Sequence, residues 1–145
     1  MKRLVLLLLA GCADKPAPAA EAPAGLRVPL PDGWRATAVG GDLTAGPPGR
    51  AVLKLEKKEG ALPAADALVA AVQAQGAALQ ARASTRAFVG VRYTVGLDGD
   101  AGVREAFLGV KRAGPRTIWC STTAAAKADE VEAARAVCEG LTWEG

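Results

Sequence analysis

Two hydrophobic periods alternate along this chain and mark out its elements. Val89, Val91, Tyr93, Val95 and Leu97 alternate with smaller or polar positions, the period-two signature of a strand, and residues 103–112 read as its return strand. The connection, Asp98-Gly99-Asp100-Ala101-Gly102, has the Asp-Gly content of a hairpin turn. Residues 50–58 also alternate: Ala51, Leu53 and Leu55 point one way, Lys54, Glu56 and Lys58 the other, and Val52 is out of phase. Shorter extended runs are predicted at 26–30, 35–39, 79–84 and 116–122. The last of these places Ile118 and Cys120 on one face and Trp119 on the other. Turns are expected at Pro31-Asp32-Gly33-Trp34 and Ala113-Gly114-Pro115, and an irregular loop over 40–49. The period changes to that of a helix twice. Pro63 and Asp66 open a helix with Leu68, Val69 and Val72 on one side, stopping at Gly76. Residues 125–139 form the second, with Val131, Ala134 and Cys138 on one stripe; Gly140 ends it, and Leu141-Thr142-Trp143 returns as an edge strand.

Ahead of this pattern stand Met1-Lys2-Arg3, an unbroken apolar run over 4–10, and the box Leu9-Ala10-Gly11-Cys12. A membrane span needs about 20 apolar residues, and this run is far shorter. An ordinary secretion signal would want an Ala-x-Ala site, which the run does not offer. A thiol is what forms a thioether to diacylglycerol, and Ala10 and Gly11 are small enough for the protease that cuts before it. The leader resembles a bacterial lipoprotein signal peptide, which implies that residues 1–11 are removed and that Cys12 becomes the acylated first residue. Ala13 in place of an aspartate resembles the default signal for transfer to the outer membrane. The expected address is the cell envelope, periplasm-facing, with membrane lipid held through Cys12.

Residues 13–25, ADKPAPAAEAPAG, contain Pro16, Pro18 and Pro23 and no large apolar side chain, so residues 12–25 read as lipidated cysteine and tether. Residues 26–145 then form one domain, long enough for a single core. The precursor carries 18 basic against 15 acidic residues, and loss of Lys2 and Arg3 leaves the two nearly balanced. Lys and Arg are spread along the sequence without a cluster or interleaved aromatics, which argues against a nucleic-acid partner.

Lipidation of Cys12 leaves Cys120 and Cys138 as an even pair in a compartment where disulfides persist. Cys138 on its stripe faces the sheet that carries Cys120, so a disulfide is expected, with two free buried thiols as the alternative. The chain has no histidine. That removes Ser-His-Asp and Cys-His nucleophile activation and His-based metal sites. Residues 40–49 lack the Lys-Ser ending of a phosphate-binding loop, and the 98–109 stretch fails as a calcium loop at Gly102, Val103 and Gly109. No catalytic residue, metal site or cofactor is assigned. Asp129, Glu130 and Glu132 could serve as acid and base, but at a helix start they suit the helix dipole. Trp34 and Trp119 are the candidate binding residues, Trp119 because a sheet covered on one side only would expose it; the alternative for Trp34, Trp119 and Trp143 is core or edge packing.

A short strand, Pro31-Asp32-Gly33-Trp34, a strand, a helix, a meander of strands, a strand ending in Cys120, an amphipathic helix and a final Leu141-Thr142-Trp143 give an order that resembles the superfamily of the photosystem II extrinsic protein PsbP. The resemblance spans nearly all of 26–145. It implies an α+β fold, a twisted and mostly antiparallel sheet with helices packed on its faces, the PsbP-like sandwich. It implies non-catalytic binding or assembly work, and it carries over no site residues. The expected function is a membrane-anchored envelope module that binds or assembles a protein partner and is not an enzyme; a small-ligand carrier is the alternative, and a carboxylate-based enzyme a distant third.

Overall fold

The computed structural model describes residues 25–97, 99 and 102–144. The leader, Cys12, the tether up to residue 24, and Asp98, Asp100 and Ala101 of the hairpin connection lie outside the described residues. The element order is β1 (Leu26–Arg27), β2 (Arg35–Val39), β3 (Asp42–Gly46), β4 (Leu53–Lys58), α1 (Ala65–Gln73), β5 (Ala78–Ser84), β6 (Phe88–Gly96), β7 (Val103–Ala113), β8 (Arg116–Thr122), α2 (Ala128–Glu139) and β9 (Thr142–Trp143).

Seven strands form one twisted antiparallel sheet in the order β2-β3-β4-β8-β7-β6-β5. This is the α+β class that the element order implied. The β6–β7 hairpin is its spine, paired from Phe88↔Lys111 to Gly96↔Val103. Side chains alternate across the pleat, so the row Leu55↔Cys120↔Gly109↔Gly90 points to one face and the row Glu56↔Trp119↔Val110↔Val89 to the other. Helix α2 covers the first face over β7 and β8, and α1 covers the second over β5 and β6.

On the α2 face, Leu43, Leu53, Leu55, Phe88, Phe107, Ile118 and Cys120 pack against Val131, Ala134, Val137, Cys138 and Leu141. Phe88 and Phe107 stack with ring centroids 6.2 Å apart. Their rings lie over glycines: a Cβ at Gly90 would fall 2.7 Å from Phe88, and one at Gly109 2.4 Å from Phe107. On the α1 face, Ala65, Leu68 and Val72 meet Val89, Val91 and Val110, with Leu79, Tyr93, Leu108 and Trp119 half-buried around them.

Several expectations are corrected. Residues 40–49 are not one loop: Gly40-Gly41 is a two-residue hairpin turn closing Val39↔Asp42, with Gly40 at φ +66°, and β3 follows it. Two glycines in sequence suit a hairpin turn as well as a loop. The following strand begins at Leu53 and not at residue 50, because Pro47-Pro48-Gly49 forms a tight loop closed by Arg50 N–H to Pro47 C=O at 3.0 Å. Ala51 is exposed, whereas Val52 and Leu53 are both fully buried, so the phase slips at the strand's start. The first extended run shrinks to Leu26–Arg27, since Pro29 and Pro31 have no N–H to pair. Residues 142–143 do not edge the main sheet; β9 pairs with β1 in a separate ribbon, Leu26↔Trp143 and Arg27↔Thr142. The second helix starts three residues late, as the Thr123 hydroxyl accepts the Ala125 N–H at 3.1 Å and holds a turn there.

Candidate functional site

Helix α2 is fastened to the sheet along its whole length. The inward stripe of Val131, Ala134 and Cys138 brings the Cys138 sulfur to Cys120 on β8, and the two are joined by a disulfide with Cα atoms 6.1 Å apart. Both cysteines are completely buried. At the helix start, the Arg50 guanidinium donates through both terminal nitrogens to the Glu130 carboxylate and also to the Ala125 carbonyl at 2.9 Å. Glu130 Oε1 accepts the Lys127 N–H at 2.9 Å as well, closing the first turn. These donors, Arg50 first, hold the Glu130 carboxyl well below its usual range, at about 2. At the helix end the Lys111 ammonium donates to the Glu139 carbonyl, where the dipole favours a cation.

Of the three carboxylates singled out as acid and base candidates, Asp129 is exposed and the other two are engaged structurally. Glu130 is clasped by Arg50. Glu132 accepts from Arg135 and from Arg92, at 2.5 and 3.3 Å, and Arg135 chiefly draws its carboxyl down. Arg92 reaches Glu105 at 2.8 Å, and Arg135 also bonds Glu139. Shifts in this direction keep carboxylates ionised at neutral pH, which is the reverse of what a general acid needs.

The structure does not bring the aromatic candidates together. Trp34 is half-buried against the α2-face core, after a turn in which its N–H bonds the Pro31 carbonyl at 3.0 Å. Trp119 lies on the opposite face, half-buried beside the α1 cluster, with the Lys58 ammonium 4.7 Å from its ring centroid. The sheet is covered on both sides, so the condition that would have bared Trp119 does not hold. Trp143 packs against the α2-face core from the β1–β9 ribbon, under the Arg116 guanidinium at 6.0 Å.

Two small concavities lie among the described residues. A groove of about 240 Å³ lies beside the Pro47-Pro48-Gly49 loop, between Arg35, Thr37, Thr44 and Arg50. A depression of about 70 Å³ lies between Phe88, Phe107, Gly90 and Arg135. Neither is lined by Trp or Tyr. Among the described residues, no cluster of three or more Cys, Asp or Glu could hold a metal ion, and no helix is long and apolar enough to cross a membrane.

One arrangement was invisible in the linear sequence. Lys57 and Lys111 both flank Ile118 in one cross-strand row, Lys58 and Arg112 flank Thr117 in the next, and Arg116 pairs with Ala113 in the last. Arg86 sits at the turn into β6, next to Ala87, whose carbonyl takes the Arg112 N–H at 2.8 Å. Six cations from four segments therefore gather at one end of the sheet. The signal that could have found them is strand register, which the sequence does not display.

No family model matches this chain, and no curated protein does. Among solved structures it is similar to LpqN of Mycobacterium tuberculosis, described as involved in cell envelope biogenesis, at 17% identity over 83% of each chain and a TM-score of 0.45. At that distance nothing about function passes between the two.

Proposed function

We propose that this chain is a lipid-anchored, periplasm-facing envelope lipoprotein whose domain works as a non-catalytic binding or assembly module. The observation that carries the reading is the Leu9-Ala10-Gly11-Cys12 box joined by a proline-rich tether to a domain with a closed core. Acylation fixes the protein at a bilayer, and the tether raises its local concentration near membrane-bound partners, so weak contacts suffice. Support for binding over turnover comes from the lack of histidine, the engagement of Glu130 and Glu132 with arginines, and a disulfide that leaves no described thiol free. A carrier would need a cavity of about 300 Å³ or more, and the described concavities are smaller. Membership of the PsbP-like superfamily, and transfer to the outer membrane, belong to the same reading.

The test has two arms. Cys12→Ser should release the protein from membranes or stall its processing, and an unmodified Cys12 in the intact mass of the native mature protein would end the lipoprotein reading. Crosslinking in cells should then capture the same protein partner with wild type and with Glu105→Gln or Glu132→Gln. A purified protein that consumes an envelope substrate, with turnover abolished by one of those substitutions in a folded variant, would overturn the binding reading.

A further inference from the structure

We propose that the basic end of the sheet is a docking surface for an anionic bilayer, so that the domain rests on the membrane that anchors it. Lys57, Lys58, Arg86, Lys111, Arg112 and Arg116 lie there, against Asp42, Glu59 and Glu139, with the Lys111 ammonium also bonded to the Glu139 carbonyl; Arg27 and Glu144 neutralise one another at 3.1 Å. Among the described residues none of those six cations has a carboxylate within ion-pair distance. At the opposite end Arg50 holds Glu130 and Arg92 holds Glu105 and Glu132, while Arg35, Arg104 and Lys127 have no carboxylate within ion-pair distance among the described residues. The excess of cations over carboxylates is nonetheless larger at the basic end, even though the chain as a whole is nearly balanced.

The occupant is fixed by where the tether arrives. Gly25 accepts the Glu144 N–H at 2.7 Å, and Leu26 lines a shallow pocket with Gly41, Leu43, Leu55, Lys57 and Ile118. The chain coming from Cys12 therefore joins the domain at the basic end. Twelve residues separate Cys12 from Gly25, and a proline-rich linker of that length reaches at most roughly 40 Å. That keeps the domain close enough for its basic end to meet anionic headgroups repeatedly, within reach of a field that decays over about 8–10 Å. Each Lys or Arg held at such a surface raises partitioning about fivefold. The hairpin tip adds Val39, exposed beside Gly40-Gly41 at the same end, as an apolar contact for the headgroup layer.

The orientation rests on the lipoprotein reading, but the charged surface does not, and the experiment separates the two by using the unlipidated mature chain, residues 12–145 carrying Cys12→Ser. The probe is vesicles of equal parts phosphatidylglycerol and phosphatidylcholine, compared with pure phosphatidylcholine, by co-sedimentation at low salt. Binding is expected only to the anionic vesicles and should weaken as salt is added. Lys57→Glu with Arg112→Glu, two exposed positions, should lower it well beyond the roughly thirtyfold that loss of two cations alone gives. Arg35→Glu, at the far end of β2, should leave it within about twofold, being outside the screened field. The milder Lys57→Gln with Arg112→Gln should give an intermediate loss, with an unchanged far-UV spectrum. No binding to the anionic vesicles, equal binding to the neutral ones, or equal sensitivity to Arg35→Glu and to the double reversal would overturn the proposal. An unmodified Cys12 in native protein would remove the anchor while leaving the vesicle result standing.

Discussion

The two helices cover opposite faces of one sheet by different means. Helix α2 is held at its start by the Arg50–Glu130 pair, in its last turn by the Cys120–Cys138 bond and at its end by Lys111, and four of its side chains are fully buried. Helix α1 is shorter, has no side-chain bond at its N-cap, and buries Ala65, Leu68 and Val72. Its tie to the sheet by charge is Asp66 with Arg82, both well exposed. The difference teaches that hydrophobic burial alone places a layer, whereas covalent and charge contacts at its ends decide whether it can lift off. Opening free energies within one protein range from nearly zero to the global value, and α1 belongs at the lower end of that range.

The contrast breaks most visibly at the disulfide. Replacing both Cys120 and Cys138 with Ser should cost about 3 kcal/mol for a bridge of sequence separation 18, lowering the melting temperature by roughly 10–15 °C. A scan of wild type with and without reductant in denaturant provides the same comparison without mutation. Leu68→Ala, on the other face, should cost about 2–3 kcal/mol. Amide exchange should show its effect concentrated in α1 and β5, with α2 amides still protected; uniform loss of protection would mean that the two layers open as one unit.

The charge contacts give smaller effects. Glu130 has its carboxyl lowered from 4.5 to about 2 in the folded chain. Its contribution is therefore fully present above pH 4.5 and is lost as pH falls toward 2. Glu130→Gln should be less stable than wild type at neutral pH, and denaturation series at descending pH should show the gap closing across that window. Smallest of all, Arg82→Ala should change stability by no more than about 0.5 kcal/mol, because its partner Asp66 is 86% exposed and the pair is screened. A larger loss would show that α1 is held by charge after all.

What could be read from the sequence followed the range over which each signal acts. The β6–β7 hairpin, β2, β8 and the inward stripe of α2 are local periodic patterns, and they lie where the alternation of Val89, Val91 and Tyr93, and of Ile118 and Cys120, placed them. The Cys120–Cys138 pairing was legible because both sulfurs lay on identified apolar faces. Gly40-Gly41 misled because glycine marks a loop and a tight turn equally, and β3 became evident only by pairing with β2 and β4. The β1–β9 ribbon, the Arg50–Glu130 clasp and the basic end join residues far apart in sequence, so no local pattern announced them. Trp119 could be assigned a face but not its surroundings, because the cluster beside it and the Lys58 ammonium over its ring come from other segments.

The β1–β9 ribbon has a practical consequence for anyone handling the protein. With the Glu144 N–H bonded to the Gly25 carbonyl at 2.7 Å, the first and last described residues are neighbours. A fluorophore or affinity tag fused after Gly145 would emerge beside the point where residue 25 enters the domain, at the basic end of the sheet, and on the proposed docking it would obstruct contact with the bilayer. The same closeness makes the fold suited to circular permutation: a linker of a few residues could join residue 144 to residue 25. New ends opened in the Pro47-Pro48-Gly49 loop would then carry a label to the far side of the sheet.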